Sequence, residues 1–164
     1  MALPFDPIAE AAKNWNDREW DSVDSMRAAT SIVRANQILN TRITDALSSL
    51  DLNLSRFEVL ALLYLSRNKA LPMGKIGERL QVHPASVTNT VDRLEGEGLV
   101  QRVAHPTDRR TTLARLTAAG ERTTEKAEKI LAEIEYGLAG MTRQGLNRVT
   151  KELETLRRHV GDFS

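Results

Sequence analysis

Cysteine is absent from this chain of 164 residues. Without a thiol, the chain cannot form disulfide bonds, cysteine-ligated zinc sites or iron–sulfur clusters, and it has no thiol nucleophile. Peroxide sensing through a thiol is excluded for the same reason. The absence of cysteine also fits a reducing cytoplasm, where disulfides are rare.

Long apolar runs are missing as well. The most apolar run covers residues 59–66, between Glu58 and Arg67, whereas a membrane-spanning helix needs about 20 apolar residues. Residues 1–24 contain six acidic side chains and only two basic ones, which is the reverse of a signal peptide. We therefore expect a cytoplasmic chain without a membrane partner.

Aromatic residues are few, at 4%, but hydrophobic residues make up 41% and charged residues 27% of the chain. This composition is typical of a soluble globular protein, and the length fits one domain over residues 1–164. The sequence pI of about 8.1 lies below the value of about 9 that by itself indicates a nucleic-acid binder. The excess of basic residues falls in the middle of the chain, which permits a surface that faces a polyanion without requiring one.

The first half of the chain has helical periodicity. Residues 23–50 predict a long amphipathic helix, and Ser55 and Glu58 have the spacing of a capping box for a helix over 56–66. This second helix is apolar on nearly all sides, which predicts a place at the centre of the core. The apolar face of the first helix consists of Met26, Val33, Ile43, Leu47 and Leu50.

The middle of the chain predicts two short helices followed by a hairpin. The helices cover about 73–80 and 84–97, with Pro84 in a favourable first-turn position. The strand-like segments 99–104 and 111–116 are joined by a hexapeptide that contains Pro106 and Asp108, which are turn formers. This order predicts a winged helix-turn-helix, whose second helix enters the major groove of DNA. The fold class is therefore mainly α with a small β-wing.

The last third of the chain predicts two more helices. The first covers about 118–139, begins after Thr117 as N-cap and ends at Gly140. The second, over 143–160, has apolar residues at alternating steps of three and four, which is a heptad seam. A helix of this length is marginal alone and needs another apolar surface. The seam consists of Leu146, Val149, Leu153, Leu156 and Val160.

The second short helix has a polar face opposite its apolar residues Val87, Val91 and Leu94. Such side chains can contact base edges or phosphates, although a simple solvated face would have the same periodicity. The candidate DNA-binding residues on this face and its flanks are Ser86, Thr88, Asn89, Thr90 and Arg93.

Residues 71–120 resemble the multiple antibiotic resistance regulator (MarR) family of bacterial transcription factors. The resemblance rests on the segments PASVTN at 84–89, VDRLE at 91–95, GLV at 98–100, DRR at 108–110 and LT at 116–117, and on Gly120. Two positions depart from the family pattern. Gln81 stands in the turn where glycine is common, and His83 stands at the N-cap where serine or threonine is usual.

The resemblance implies a homodimer that binds a double-stranded, pseudo-palindromic DNA operator as a repressor and is released by a small aromatic or phenolic effector. It assigns residues 1–50 to an N-terminal extension and dimerisation helix, 55–117 to the winged helix-turn-helix lobe, and 118–164 to C-terminal dimerisation helices. We expect the seam to pack against the helix at 23–50 of the partner subunit.

The resemblance also draws attention to Asp108, Arg109 and Arg110 in the hairpin. We expect Asp108 to orient one of the arginines through a charge-assisted hydrogen bond, so that an arginine can enter the minor groove. The alternative is an ion-pair cluster on the surface with little energetic value.

An effector cleft between the dimerisation helices and the DNA-binding lobe is a further implication. Its candidate residues have structural alternatives: Glu58 as the capping-box acid, Phe57 and Tyr64 as core residues, and Trp15 as part of a short N-terminal helix that packs on the domain. The candidate ligand-binding residues are Trp15, Trp20, Arg27, Arg34, Phe57 and Glu58, with Tyr64 beside them.

Catalysis has little support in the sequence. The three histidines are His83, His105 and His159, and their positions in a turn, a hairpin and the last helix give no metal or triad spacing. We expect no enzyme activity, no cofactor and no metal. The alternative to a DNA-binding regulator is a winged-helix module for protein–protein interaction, which would lack the steep salt dependence of phosphate contacts.

Overall fold

The computed structural model describes residues 3–108 and 110–163. Seven α-helices and three β-strands are described there, in the predicted mainly α arrangement with a small sheet. The elements are α1 (Pro7–Asn16), α2 (Val23–Leu47), α3 (Leu54–Leu65), β1 (Ala70–Pro72), α4 (Met73–Leu80), α5 (Pro84–Gly96), β2 (Val100–Ala104), β3 (Thr112–Leu116), α6 (Ala118–Glu133) and α7 (Arg143–His159).

The core forms where α2, α3, α5 and α6 meet. Leu47, Leu60, Leu63 and Leu131 are completely buried, and such contacts are the main source of stability. The predicted central place of α3 is confirmed for one side of the helix only, because Leu65 is 82% exposed. The helix thus has an inner and an outer apolar face.

The start of α3 differs from the predicted capping box. The N-cap is Asn53, whose side-chain oxygen accepts the backbone N–H of Arg56 at 3.0 Å. Because the helix begins at Leu54, Ser55 already lies inside the first turn and cannot cap it. Glu58 is therefore not a capping-box acid. It is half-buried on α3, and its burial raises the pKa of its carboxyl.

The sheet has three antiparallel strands in the order β1-β3-β2. The predicted hairpin forms β2 and β3, with Val100 opposite Leu116. Strand β1 was not predicted, because three residues that end in a proline are too few for an alternating pattern. It pairs with β3 and connects α3 to α4 at the edge of the sheet.

The predicted cap of α6 is confirmed. The Thr117 hydroxyl oxygen accepts the Gly120 N–H at 3.0 Å and donates to the Gly98 carbonyl at 2.8 Å. A Cβ atom on Gly120 would overlap the carbonyl oxygen of Leu99. The glycine therefore allows α6 to start directly against the segment that enters β2.

Helix α6 ends at Glu133, well before the predicted end at residue 139. Three consecutive residues, Glu135, Tyr136 and Gly137, have left-handed dihedral angles, which an α-helix cannot contain. Arg42 of α2 donates to the Gly137 carbonyl at 2.7 Å. This tertiary contact stabilises a turn that the local helical pattern does not indicate.

The outer helices, α2 and α7, leave apolar side chains exposed. Within the described chain, α7 has no buried residue, and its seam residues Leu156 and Val160 are 50% and 70% exposed. On α2, Val33 and Ile38 are 58% and 45% exposed. None of the helices described in residues 3–108 and 110–163 is both long and apolar enough to cross a membrane.

Candidate nucleic-acid interface

Helix α5, the second helix of the helix-turn-helix, presents a polar face to solvent. Its predicted apolar face is confirmed, because Val87, Val91 and Leu94 are buried. The opposite residues Ser86, Asn89 and Arg93 are exposed, whereas Thr90 is half-buried at the flank. Thr88 is also exposed, but its hydroxyl donates to the Pro84 carbonyl at 3.1 Å.

The turn before α5 accommodates both departures from the family pattern. Gln81 has a left-handed φ of 52°, the conformation that glycine adopts without strain. His83 is the N-cap of α5, and its Nδ1 accepts the Ala85 N–H at 3.2 Å. A histidine thus performs the capping that a serine or threonine hydroxyl usually provides.

Arg102 in β2 connects α5 to the wing, which we define as β2, β3 and the intervening segment. Its guanidinium lies 2.6 Å from the Asp92 carboxylate and also pairs with Glu95. Its backbone N–H donates to Glu95 at 2.8 Å. The backbone bond from Arg102 to Glu95 is the largest cause of the lowered pKa of Glu95, and the side-chain bond from Arg102 is the next. The strand and the helix are therefore held together as one surface.

A second arginine holds the end of α5. Arg56 of α3 lies 2.7 Å from the carboxylate of Glu97, the C-cap of α5, and its side chain is only 13% exposed. Sequence reasoning missed both arginines as positioning residues. These acidic partners of Arg56 and Arg102 lie in α5 or at its end, and within the described chain neither arginine is paired in its own element. The only signal in the sequence was the presence of these acidic residues in and after α5.

Asp108 organises the tip of the wing through its backbone. Its carboxylate accepts the Arg110 N–H at 2.9 Å and the Thr111 hydroxyl at 2.6 Å. The Thr111 bond is the larger cause of the lowered pKa of Asp108. Nδ1 of His105 accepts the Asp108 N–H at 3.2 Å, so the tip is a hydrogen-bonded turn.

We expected Asp108 to bond to an arginine side chain. For Arg110 this expectation is wrong, because Asp108 bonds to the backbone N–H of Arg110 instead. The carboxylate accepts this N–H, two residues on, in an Asx-type turn, and it also accepts the hydroxyl of Thr111. The Arg110 residue is exposed at the wing tip. Arg109 lies outside the described residues, and its contact with DNA stays a prediction.

The fold and sequence of this lobe match known proteins. Residues 52–112 match the model of the MarR family. Sco5413, a MarR family transcriptional regulator from Streptomyces coelicolor, is 42% identical, with a TM-score of 0.81 over 87% of this chain and 99% of that one. The chain belongs to the MarR family.

Two further relatives extend this finding. The HTH-type transcriptional regulator MhqR of Bacillus subtilis is 34% identical over 58% of this chain, a match that spans 65% of MhqR. A mutant of Escherichia coli MarR in complex with operator DNA shares the fold, with 23% identity and a TM-score of 0.71 over 78% of this chain and 91% of that one. This MarR-family chain is thus related to transcriptional regulators, and its winged helix shares the fold of a protein that was solved on operator DNA.

The candidate ligand-binding residues of this MarR-family chain lie in separate places. The rings of Trp15 and Trp20 pack edge to face at 4.8 Å, and Trp15 Nε1 donates to the Asp21 carbonyl. Arg27 lies 3.7 Å from Asp24 on the same helix. The two tryptophans therefore close the connection between α1 and α2.

Arg34 and Phe57 lie in two different cavities. Arg34 is in a groove between α1 and α2. Phe57 lines a cavity of about 430 Å³ between α3, α6 and the left-handed turn, together with Ala61, Tyr64 and Tyr136. The Tyr64 hydroxyl donates to Glu125 at 2.8 Å, and this bond is the main cause of the raised pKa of Tyr64.

The connection through Arg102 leads to a first prediction. Arg102→Ala should lower the free energy of unfolding by about 1–2 kcal/mol, as expected for a lost hydrogen bond to a charged group, and should speed amide exchange in β2. Denaturation and hydrogen exchange measure the two effects. Arg122→Ala removes the same charge from an exposed position on α6 and should change neither. Unaltered exchange in the wing of Arg102→Ala would contradict the role given to Arg102.

The same contact has a pH dependence. Because the pKa of Glu95 is lowered in the folded state, its contribution to stability is present above the pKa of the unfolded chain. The contribution is lost as the pH falls through the folded-state value. Glu95→Gln should therefore make the acid side of the stability profile less steep.

Proposed function

We propose that this chain is a homodimeric transcriptional repressor that binds pseudo-palindromic DNA operators and is released by a small aromatic or phenolic ligand. The observation that carries the proposal is the connection of α5 to the wing through Arg102. It fixes an exposed polar helix face beside an exposed basic wing tip. DNA offers complementary features, with base edges in the major groove and phosphates beside it.

The two elements have different tasks in this proposal. Asn89, Ser86 and Arg93 contact base edges in the major groove, and the amide of Asn89 suits the N6 and N7 atoms of adenine. Thr88 and Thr90 contact DNA at the flanks of α5. The wing contacts the backbone or minor groove through Arg110 and Arg109, on a turn that Asp108 holds.

Two substitutions separate these tasks. Asn89→Ala should weaken binding to the operator by about 1–3 kcal/mol and leave binding to random duplex nearly unchanged. Arg110→Ala should weaken binding to both and reduce the salt slope by about one unit, because one phosphate contact is lost. Fluorescence anisotropy over a range of salt concentrations measures both effects.

Matched controls come from exposed residues of α7. Asn147→Ala and Arg148→Ala remove the same side-chain types outside the lobe, and they should leave DNA affinity unchanged. Equal losses on operator and random duplex for Asn89→Ala would contradict the assigned recognition face. If the wild-type protein binds its own promoter region no more tightly than random duplex, the repressor proposal fails and a protein–protein module is favoured.

A second copy of the chain is the proposed partner for the outer helices. On α2, Val33 and Ile38 are exposed. The seam of α7 runs along one face of a helix of 17 residues, so its members form an apolar stripe rather than scattered surface residues. Such contiguous apolar surfaces usually mark interfaces. A two-fold dimer would place two α5 helices on successive turns of the duplex, as a pseudo-palindromic operator requires.

Charges in the seam should prevent assembly. Leu153→Asp combined with Leu156→Asp places two carboxylates in the proposed interface, and burying them unpaired is costly. We expect a monomer or an unfolded chain by analytical ultracentrifugation with circular dichroism. Asn147→Asp combined with Thr155→Asp adds the same charges to the opposite face of α7 and should remain dimeric. A normal dimer for the leucine variant would contradict the proposed interface.

The cavity between α3 and α6 is the proposed effector site. Phe57, Tyr64 and Tyr136 supply aromatic surface, and the acidic Glu125 and Glu128 outnumber the basic Lys129 in its lining. An excess of acidic groups favours a neutral phenol over an aromatic carboxylate. The cavity touches the turn after α6, so a ligand there can bias how the DNA-binding lobe sits relative to the outer helices.

A filled cavity tests the effector proposal. Ala61→Phe should abolish release from the operator by neutral phenols and leave operator binding itself within about twofold of the wild type. Ala132→Phe, at an exposed position of α6, is the control. Phenol and 4-hydroxybenzoate serve as neutral and anionic probes in a displacement assay. Retained release by phenol in Ala61→Phe would place the effector elsewhere.

A further inference from the structure

The end of α7 turns back on itself and meets the helix-turn-helix. After His159 the chain passes through Gly161, which has a left-handed φ of 77°, and brings Asp162 to the side of Arg157. The Arg157 Nε donates to the Asp162 carboxylate at 2.6 Å. The same carboxylate accepts a hydrogen bond from the side-chain amide of Gln81. The Asp162 side chain is only 16% exposed.

Phe163 packs against α7 and orders the end of the described chain. Its ring lies 5.1 Å from the guanidinium carbon of Arg157 and 4.8 Å from that of Arg158. Cation–π contacts of this kind favour one arrangement of the ring and the arginines. The last residues of the described chain are therefore held against α7.

Gln81 is the residue that receives this contact in the lobe. It follows α4 in the turn that leads to α5, and its backbone N–H bonds to the Gly77 carbonyl. A glycine would suit its left-handed backbone better but would have no side chain to reach Asp162. The amide contact offers a physical reason for glutamine at this position.

The contact is important for α7 because the helix has few other ties to its own lobe. In the described chain α7 has no buried residue. Near its end, Val160 and Arg157 face Arg79 and Leu80 of α4 across a crevice of about 300 Å³. The hydrogen bond between Asp162 and Gln81 bridges this crevice.

We propose that Asp162 and Gln81 form a latch that holds α7 against the helix-turn-helix in its DNA-binding orientation. The proposal rests on the function proposed above and adds a link between the proposed dimer helix α7 and the proposed DNA-contacting helix α5. The seam of α7 up to Leu156 faces the second subunit, and Gln81 sits in the turn that orients α5. With the latch closed, the spacing of the two α5 helices is fixed before DNA binds, which reduces the cost of binding.

The absence of cysteine from the chain allows a direct test. The double variant Gln81→Cys with Asp162→Cys contains the only two thiols of each chain. Because cysteine is shorter than glutamine and aspartate, a short bifunctional methanethiosulfonate reagent is needed to link the two thiols reversibly. In the reduced form, operator affinity should fall about fivefold, a typical coupling effect. Reaction with this reagent should link the two thiols within one chain and restore the wild-type affinity.

Three results would overturn the latch. They are the failure of the reagent to link the two thiols, a link between two chains on a non-reducing gel, and loss of operator binding once the link has formed. The last result would mean that the closed latch belongs to a state unable to bind DNA. If instead the wild-type protein binds no operator specifically, the proposed function fails, and the gel still reports whether the contact forms within one chain.

Single variants separate positioning from direct DNA contact. Asp162→Ala should reduce operator affinity about fivefold with an unchanged salt slope, because no phosphate contact is removed. Asp162→Asn should recover part of the affinity, since its side-chain oxygen can still accept from Gln81. Glu154→Ala breaks the pair with Arg158 on the same helix and should have no effect. A wild-type affinity for Asp162→Ala, or a changed salt slope, would contradict the latch.

Discussion

The proposed DNA-binding surface depends on the three bonds that Arg102 makes to α5. An exposed ion pair contributes little by itself, but here one side chain and its own backbone N–H hold two acidic residues on successive turns of the helix. The wing is a short hairpin, and two-stranded hairpins are only marginally stable. Strand β1 and Arg102 support it from opposite edges, so the wing tip keeps a defined position relative to α5.

Burial of apolar side chains differs strongly between the two ends of the described chain and its middle. The end of α2, the lobe from α3 to β3, and α6 bury a continuous core, whereas α7 has no buried residue in the described chain. A helix of 17 residues is marginal without tertiary contacts. A second subunit that packs on the seam would bury its exposed apolar residues and would supply the tertiary contacts that α7 lacks. The latch at Gln81 then connects this partner-facing helix to the turn before α5.

The sequence predicted the elements whose signals are local. Val87, Val91 and Leu94 follow the helical repeat, Thr117 caps α6, and the turn formers mark the wing. What it could not predict depends on tertiary contacts. Arg42 stabilises the left-handed turn that ends α6, and β1 forms only because β3 lies beside it. The ligand candidates Trp15 and Arg34 were grouped by residue type and family, but contacts across α1 and α2 place them away from Phe57. The sequence did not indicate the role of Arg102, because its charge partners Asp92 and Glu95 lie on α5 rather than in its own strand.

In the proposed complex, α5 and the wing bind DNA as one unit on each subunit of a two-fold dimer. Hydroxyl-radical footprinting of the wild-type protein on its own promoter region tests this arrangement. We expect two symmetric sets of protection, centred about 10 base pairs or a multiple of this apart, with wing protections flanking each α5 site. A single unpaired footprint, or no protection that differs from random duplex, would contradict it.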